Sequence, residues 1–338
     1  MTAPLLKLQD VKTYFHSKDR IAKAVDGVSF EVNEGEVVAL VGESGSGKSM
    51  TSLSIMGLVD AKSKELTGSI QLSGVELTDL SERQLSRIRG QQMAMIFQEP
   101  MTSLNPVYTI GNQIIETLRK HKKISKMEAR SRAMELLQLV GFSRPEESLK
   151  SYPHELSGGM RQRVMIAISM SCNPQLLIAD EPTTALDVTI QQQILDLMLK
   201  VKDELNTAIL LITHDLGVVA ETAERVLVMY GGQIVEEAPV YDLFINPLHP
   251  YTQGLLKSMP KMEEDKERLE AIKGMVPAAH KFPAGCRFAP RCQMATETCH
   301  HTTPELVQAS PTRAVRCLLY KNASLEADPG RLKGGVEV

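Results

Sequence analysis

The chain has 338 residues, more than one hydrophobic core usually organises, so a large domain with an appendage, or two domains, is expected. Hydrophobic residues at 43% and charged residues at 23% exclude disorder as the default state. A formal net charge of −3 supplies no general basic field for a polyanion, so composition points away from nucleic acid as a partner.

The opening segment, MTAPLLKLQDVKTYF, lacks the apolar core of a secretory signal. No apolar run approaches the roughly 20 residues that cross a bilayer, and a cytosolic chain is expected. KAVDGVSFEV and EVVALVGE read as valine-rich strands, and SMTSLSIMGLV has the spacing of a buried helix directly after the second. GSIQLSGVEL reads as a short hairpin, AMIFQEP as the end of a further strand, and residues 108–140 as mostly helical with a charged face. LLIADEP, TIQQQILDLMLKVKDEL, AILLITHD and ERVLVMYGGQIVE then give strand, helix, strand and strand. Short apolar strands separated by helices imply an α/β fold, with a largely parallel sheet covered on both faces. After HPYTQGLLKSMP the pattern fades into a polar helix and a segment rich in proline and cysteine, which places a boundary near residue 255.

The strongest chemical signal is GESGSGKS, Gly42 to Ser49, which has the spacing of a phosphate loop between a strand and a helix. Gly42, Gly45 and Gly47 let the backbone wrap closely round phosphate oxygens, with the amides of Ser44, Ser46 and their neighbours turned inward. The helix opening at Lys48 adds the positive end of its dipole; Lys48 reaches toward β and γ phosphates, and the Ser49 hydroxyl suits Mg²⁺. Met50 continues that first turn.

In LLIADEP, Asp180 and Glu181 stand at the carboxyl end of a buried strand, where ligands sit in an open α/β sheet. Asp180 suits the Mg²⁺ shell, and Glu181 can orient and deprotonate an attacking water. His214, at the end of ILLITHD, falls on the same sheet edge and can donate a hydrogen bond to the γ phosphate. Gln98, closing AMIFQ, has an amide able to touch both metal and water.

These residues together resemble the ATP-binding cassette family over roughly residues 5–255. The resemblance implies a P-loop NTPase with a largely parallel sheet and flanking helices, an antiparallel β subdomain and a helical subdomain at about 100–172. Gly42–Ser49 looks like its Walker A, Leu176–Asp180 its Walker B with Glu181 as catalytic glutamate, Gln98 its Q-loop and His214 its switch histidine. LSGGM at 156–160 resembles the signature motif: Ser157, Gly158 and Gly159 offer a hydroxyl and free amides at a helix start, an anion site for the nucleotide of a second cassette. The D-loop reads Thr184-Ala185-Leu186-Asp187, with threonine where serine commonly leads, and Met160 stands where many cassettes have glutamine. Phe15, or alternatively Tyr14, would stack on adenine. Implied are bound ATP and Mg²⁺, two ATP molecules buried between head-to-tail cassettes, closure on binding and opening on hydrolysis.

FQEPMTSLNP (97–106), HPYTQGLLKSMP and GCRFAPRC resemble the dipeptide and oligopeptide importer branch, with residues 256–338 as its C-terminal extension. That implies a paralogous second ATPase subunit, two transmembrane permease subunits, an extracytoplasmic peptide-binding protein and a place on the cytoplasmic face of the membrane. Nickel and glutathione are alternative cargoes. Cys286, Cys292, Cys299 and Cys317 are spaced C-x5-C-x6-C-x17-C, a thiolate set suited to metal in a reducing compartment. Relatives of this extension carry a [4Fe-4S] cluster, which is the expectation; Zn²⁺, with His300 or His301 replacing a thiolate, and two disulfides are the alternatives. Cys172 stands apart as a buried structural residue. Two rival readings are a soluble cassette acting on ribosomes or DNA, which usually carries two cassettes or a long inserted coiled coil, and a regulatory ATP-binding subunit, against which Glu181 and His214 speak.

Overall fold

The structure, a computed structural model, describes residues 3–17, 20–60, 64–98, 103–184, 187–259 and 272–320. The polar helix expected after HPYTQGLLKSMP, residues 99–102 of the 97–106 segment, and Ala185 and Leu186 of the D-loop lie outside the described residues.

β1 (Leu6–Ser17) and β2 (Arg20–Val32) form an antiparallel pair in register Leu6↔Val32. β1 is absent from the elements expected above, and the reason is local. The alternation of Leu6 and Leu8 slips at Asp10, whose φ is +47°, so Val11 and Thr13 resume it out of step. A bulge of this kind hides a period of two. After β3 (Val37–Val41) and α1 (Lys48–Ile55), the chain returns through β4 (Lys64–Leu72) and β5 (Val75–Glu76), the expected hairpin, giving a sheet of order β2-β1-β4-β5. α2 (Glu82–Ile88) follows, its start fixed by a capping box between Ser81 and Gln84.

β6 (Met93–Ile96) leads into the helical region. There α3 (Ile110–His121) buries Ile110, Ile114 and Leu118 along one stripe, and α4 (Lys126–Leu139) starts at a capping box between Ser125 and Glu128. The one-turn α5 (Pro145–Ser148) and α6 (Gly158–Met170) complete it. β7 (Leu176–Asp180), α7 (Val188–Leu205), β8 (Ala208–Thr213), α8 (Leu216–Thr222) and β9 (Arg225–Tyr230) then wind the central sheet. Every residue of β3, β7 and β8 is buried, as a strand covered on both faces requires. Alternate residues divide between two cores. Val38, Leu40, Ile178 and Leu210 meet the antiparallel sheet through Leu6 and Leu8, and α1 through Ile55. Val37, Ala39, Ala179 and Leu211 meet the helices through Leu136, Val164 and Ile194.

The remaining elements are β10 (Gln233–Pro239), α9 (Val240–Ile245), α10 (Pro250–Lys257), α11 (Glu297–His301), β11 (Val307–Ser310) and β12 (Arg313–Val315). The central sheet is eight-stranded, of order β11-β12-β10-β9-β3-β8-β7-β6, and β9, β3, β8, β7 and β6 run parallel. β12 pairs with β10 through Glu236↔Val315, so the tail contributes two strands to the edge of the main sheet. Those strands are too short for a hydrophobic period to reveal them. The tail is also fastened by aromatic packing: Tyr230, Tyr251 and Phe288 meet edge-on or tilted at centroid distances of 4.7, 5.2 and 5.4 Å.

Candidate active site

The carboxyl ends of β3, β6, β7 and β8 bring the motif residues together. β3 runs into the loop Gly42–Gly47, and α1 begins at Lys48. Gly47 has φ +107°, and a Cβ there would lie 2.5 Å from the carbonyl oxygen of Ala24; at Gly42 a Cβ would lie 2.2 Å from that of Met229. Only glycine fits either place. The Lys48 ammonium donates to the carbonyls of Gly42 at 2.6 Å and Glu43 at 3.2 Å. Burial lowers its pKa, against the carboxylates of Glu181, Asp180 and Glu43, which favour the charged form. Ser44 and Gly45 stand exposed at the crest of the loop, and Met50 is half-buried in the first turn of α1. Ser46 differs: its hydroxyl is buried with no partner among the described residues, and its amide is used within the loop, donating to the Glu43 carbonyl at 3.2 Å.

Ser49 Oγ donates to Asp180 Oδ1 at 3.2 Å, joining the phosphate loop to β7. Asp180 is buried, which raises its pKa, with the Ser49 hydrogen bond acting the other way. Glu181 follows with φ +48°, a conformation rare outside glycine that turns its side chain away from the strand. Its carboxylate accepts from Gln98 Nε2 at 2.8 Å and Thr184 Oγ1 at 3.0 Å, and lies 3.3 Å from His214 Nδ1. Three residues from three strand ends thus converge on one carboxylate. Thr184 joins this cluster from the D-loop motif, and that place is its signal in the sequence. The oxygens of Ser49 and Asp180, with the Gln98 amide nearby, suit a hard cation such as Mg²⁺.

Ser157 caps α6, its Oγ accepting from Met160 N at 3.3 Å. The amides of Gly158 and Gly159 lie in the first turn, where a helix has no internal acceptor for them. Among the described residues, no hydrogen bond of Ser157, Gly158 or Gly159 goes to this chain's own phosphate loop. Asp187 caps α7 through Ile190 N at 2.9 Å. Of the two aromatics offered for adenine, Tyr14 donates its phenol hydrogen to Asp26, while Phe15 is half-buried on β1.

The four late cysteines line one cavity of about 20 Å³ together with His249 and apolar residues including Phe288 and Leu318. Burial raises the thiol pKa of Cys286, Cys292 and Cys317, the last to about 11, and mutual repulsion among the cysteines adds to it. Among the described residues, however, no three His, Cys, Asp or Glu side chains stand close enough to hold a metal ion. No two of these cysteines are joined in a disulfide. Cys172 is buried, as expected. A groove of about 790 Å³ opens between β1–β2 and the β9–β12 edge, lined by Lys7, Glu36, Arg225 and Glu237 among others; none of the motif residues borders it.

Comparison with known proteins agrees with this geometry. Residues 25–184 match the ABC transporter family, and residues 235–299 match the oligopeptide/dipeptide transporter C-terminal region. The oligopeptide transport ATP-binding protein AppD of Bacillus subtilis is 60% identical over 95% of this chain and 98% of its own. The dipeptide transport ATP-binding protein DppD of Escherichia coli K12 is 47% identical over 93% of this chain and 96% of its own. Among solved structures, the dimeric post-hydrolysis state of the ATP-binding cassette MJ0796, bound to ADP and phosphate, superposes with a TM-score of 0.63 at 30% identity, covering 70% of this chain and 98% of that one. No helix among the described residues is long and apolar enough to cross a membrane.

Proposed function

The chain belongs to the ABC transporter family, and from that premise we propose that it is the ATP-hydrolysing subunit of a peptide importer, driving a membrane permease that other chains supply. The observation that carries the reading is Glu181, held by Gln98, Thr184 and His214 beside the Asp180–Ser49 pair and the phosphate loop.

In this reading the loop amides and Lys48 hold the β and γ phosphates, exchanging the Gly42 and Glu43 carbonyls for phosphate oxygens. Phe15 stacks on adenine. Ser49, Asp180 and Gln98 hold Mg²⁺, which when bound neutralises phosphate charge. Glu181 orients the attacking water and accepts its proton as the bond from γ-phosphorus to the bridging oxygen breaks. His214 faces the γ phosphate, and its contact with Glu181 keeps the two groups in one cluster. The amides of Gly158 and Gly159 and the Ser157 hydroxyl serve the nucleotide of a second cassette, a paralogous chain, while Asp187 lies near the shared interface. ATP favours the closed pair because it binds across both halves, and hydrolysis removes that bias. The permease docks on the helical region, where Val107 and Tyr108 are exposed. This places the chain on the cytoplasmic face of the membrane.

The four-cysteine cavity is read as the seat of a [4Fe-4S] cluster, with zinc the alternative. Four thiols gathered at one cavity with mostly apolar walls, His249 beside them, support it. Brown absorbance lost in Cys292→Ser supports the cluster; stoichiometric zinc without iron ends it. For the transport reading, the test is ATPase activity of the assembled complex with its peptide-binding protein. Stimulation by di- or oligopeptides is expected. Stimulation only by nickel or glutathione, or by no solute, refutes the peptide cargo.

A further inference from the structure

A phosphate loop that carries a carboxylate places a negative charge where a triphosphate must bind. Glu43, the second residue of GESGSGKS, is such a carboxylate, and its charge is felt at the Lys48 ammonium. It is not left to solvent. Arg291, 248 residues further along the chain, grips it with both arms of the guanidinium: Nη1 to Oε2 at 2.5 Å and Nη2 to Oε1 at 3.0 Å. Two-pronged pairing of this kind fixes orientation as well as charge. The Arg291 side chain is 5% exposed and is itself immobilised, donating to the carbonyls of Lys273 at 2.9 Å and Gly274 at 3.2 Å. The loop is held at a second point nearby, where Glu43 N donates to Tyr251 Oη at 2.8 Å.

A parallel strut reaches the far end of the same loop. Arg287 donates to the carbonyl of Gly231 and to Asp26, and Gly232 N donates to Ser46 O at 2.7 Å. Cys286 and Cys292, the chain neighbours of these two arginines, line the thiol cavity, and Phe288 between them packs on Tyr230 and Tyr251. The segment CRFAPRC therefore presents thiols to one side and, on the other, the Arg291 guanidinium to the phosphate loop and the Arg287 guanidinium to the Gly231 turn and Asp26 beside it.

We propose that Arg291 is a positioning residue of the nucleotide site, contributed by the C-terminal segment: it fixes the phosphate loop and cancels the Glu43 charge that would otherwise repel the polyphosphate. This rests on the ATP site proposed above. Removal of the guanidinium leaves an unpaired carboxylate beside the phosphates, and removal of the carboxylate in turn relieves it.

The test is calorimetric binding of a non-hydrolysable ATP analogue with Mg²⁺ to the purified full chain. Arg291→Gln is expected to weaken binding about tenfold. Arg291→Lys, which keeps the charge and loses the two-pronged bond, falls between it and the wild type. Adding Glu43→Gln to Arg291→Gln is expected to restore affinity to within about threefold of wild type without restoring the unfolding midpoint, a suppression that a merely structural strut does not produce. Glu43→Gln alone retains an acceptor for Arg291 and is expected to bind about threefold more tightly. Wild-type affinity in both Arg291 variants, or a double variant no tighter than Arg291→Gln, overturns the inference. A wild-type chain that binds no nucleotide overturns instead the reading on which it rests.

Discussion

Gly47 and Gly45 lie two residues apart in the phosphate loop, both at positive φ, yet their substitution by alanine is expected to have different consequences. At Gly47 the added methyl meets the carbonyl oxygen of Ala24 at 2.5 Å, Met229 Cε at 2.8 Å and Gly232 Cα at 3.3 Å, with φ at +107°. Two of these are backbone atoms of structural strands and turns, which cannot swing aside. The strained dihedral costs about 1–3 kcal/mol and the overpacking about 1–3 kcal/mol more, so Gly47→Ala should destabilise the chain by about 2–6 kcal/mol. At Gly45, φ is +78° and no atom of the described residues lies within 4 Å of the new methyl, so only the dihedral cost remains. Urea unfolding of the nucleotide-free chains, followed by far-ultraviolet circular dichroism, should therefore separate the two variants by about 1–3 kcal/mol. The open space at Gly45 is where the proposed ATP site would take the phosphates, so Gly45→Ala should still lose ATP affinity, by about tenfold or more. Unfolding of the two variants within about 0.5 kcal/mol of each other, or wild-type ATP binding by Gly45→Ala, would refute this difference between the two glycines.

Glu181→Gln keeps the reach to Gln98 and Thr184 but cannot take a proton; turnover should fall by at least about a hundredfold with ATP still bound, and undiminished hydrolysis would remove that carboxylate from its role. Ser157→Ala loses the α6 cap, at a cost of about 1 kcal/mol, and should abolish hydrolysis in the assembled transporter while the isolated chain binds ATP normally; weakened binding in the isolated chain would mean that Ser157 serves its own nucleotide. His249 is wholly buried, its pKa pushed down from 6.5 to about 3 by burial, while its Nδ1 accepts from Tyr251 N at 3.0 Å. Because the unfolded chain takes up the proton first, this stability is full above pH 6.5 and is lost as pH falls toward 3. Denaturant midpoints should show a loss of about 1.2 kcal/mol between pH 7 and 5.5, and His249→Asn, which retains a capping acceptor, should lack that component.

Sequence reveals most readily what is local. GESGSGKS needs only the strand before it and the helix after it, both within a dozen residues, and LLIADEP carries its strand and its acids together. The meeting of Gln98, Glu181 and His214 was legible one step further on, because buried parallel strands deliver their carboxyl ends to a common edge. What sequence hid has two causes. β1 was masked by a bulge at Asp10, and β11 and β12 by their brevity. The Arg291–Glu43 and Arg287–Asp26 contacts join residues 248 and 261 positions apart, a pairing that no periodicity or local spacing encodes. The same separation explains why the tail, proline-rich and poor in apolar residues, reads as an appendage although its Phe288 belongs to the main core.

The arrangement also explains how an event outside the chain can reach the carboxylate inside it. α6, which presents Ser157 at its start, packs on α3 and α4 of the helical region and also on β6 and α7, so it bridges that region and the main sheet. Its Gln162, 1% exposed, donates from Nε2 to the Pro182 carbonyl at 2.5 Å, one residue beyond Glu181. The other amide atom of Gln162, Oε1, has no partner among the described residues, so a single hydrogen bond fastens the helix to the catalytic turn. Glu181 sits in that turn at a strained φ and is steadied by Gln98, on the segment that leads out of β6 toward the helices. A shift of the helical region against the sheet therefore acts on Glu181 from both sides at once, through Pro182 and through Gln98. Glu181 is thus held both from that segment, by Gln98, and from the sheet edge, by Thr184 and His214, so such a shift would change the balance of its contacts, whereas the phosphate loop is clamped by β2, β9 and the C-terminal segment. Binding and hydrolysis are thus assigned to differently supported parts of one sheet edge, which is what a machine that must hold ATP before cleaving it requires.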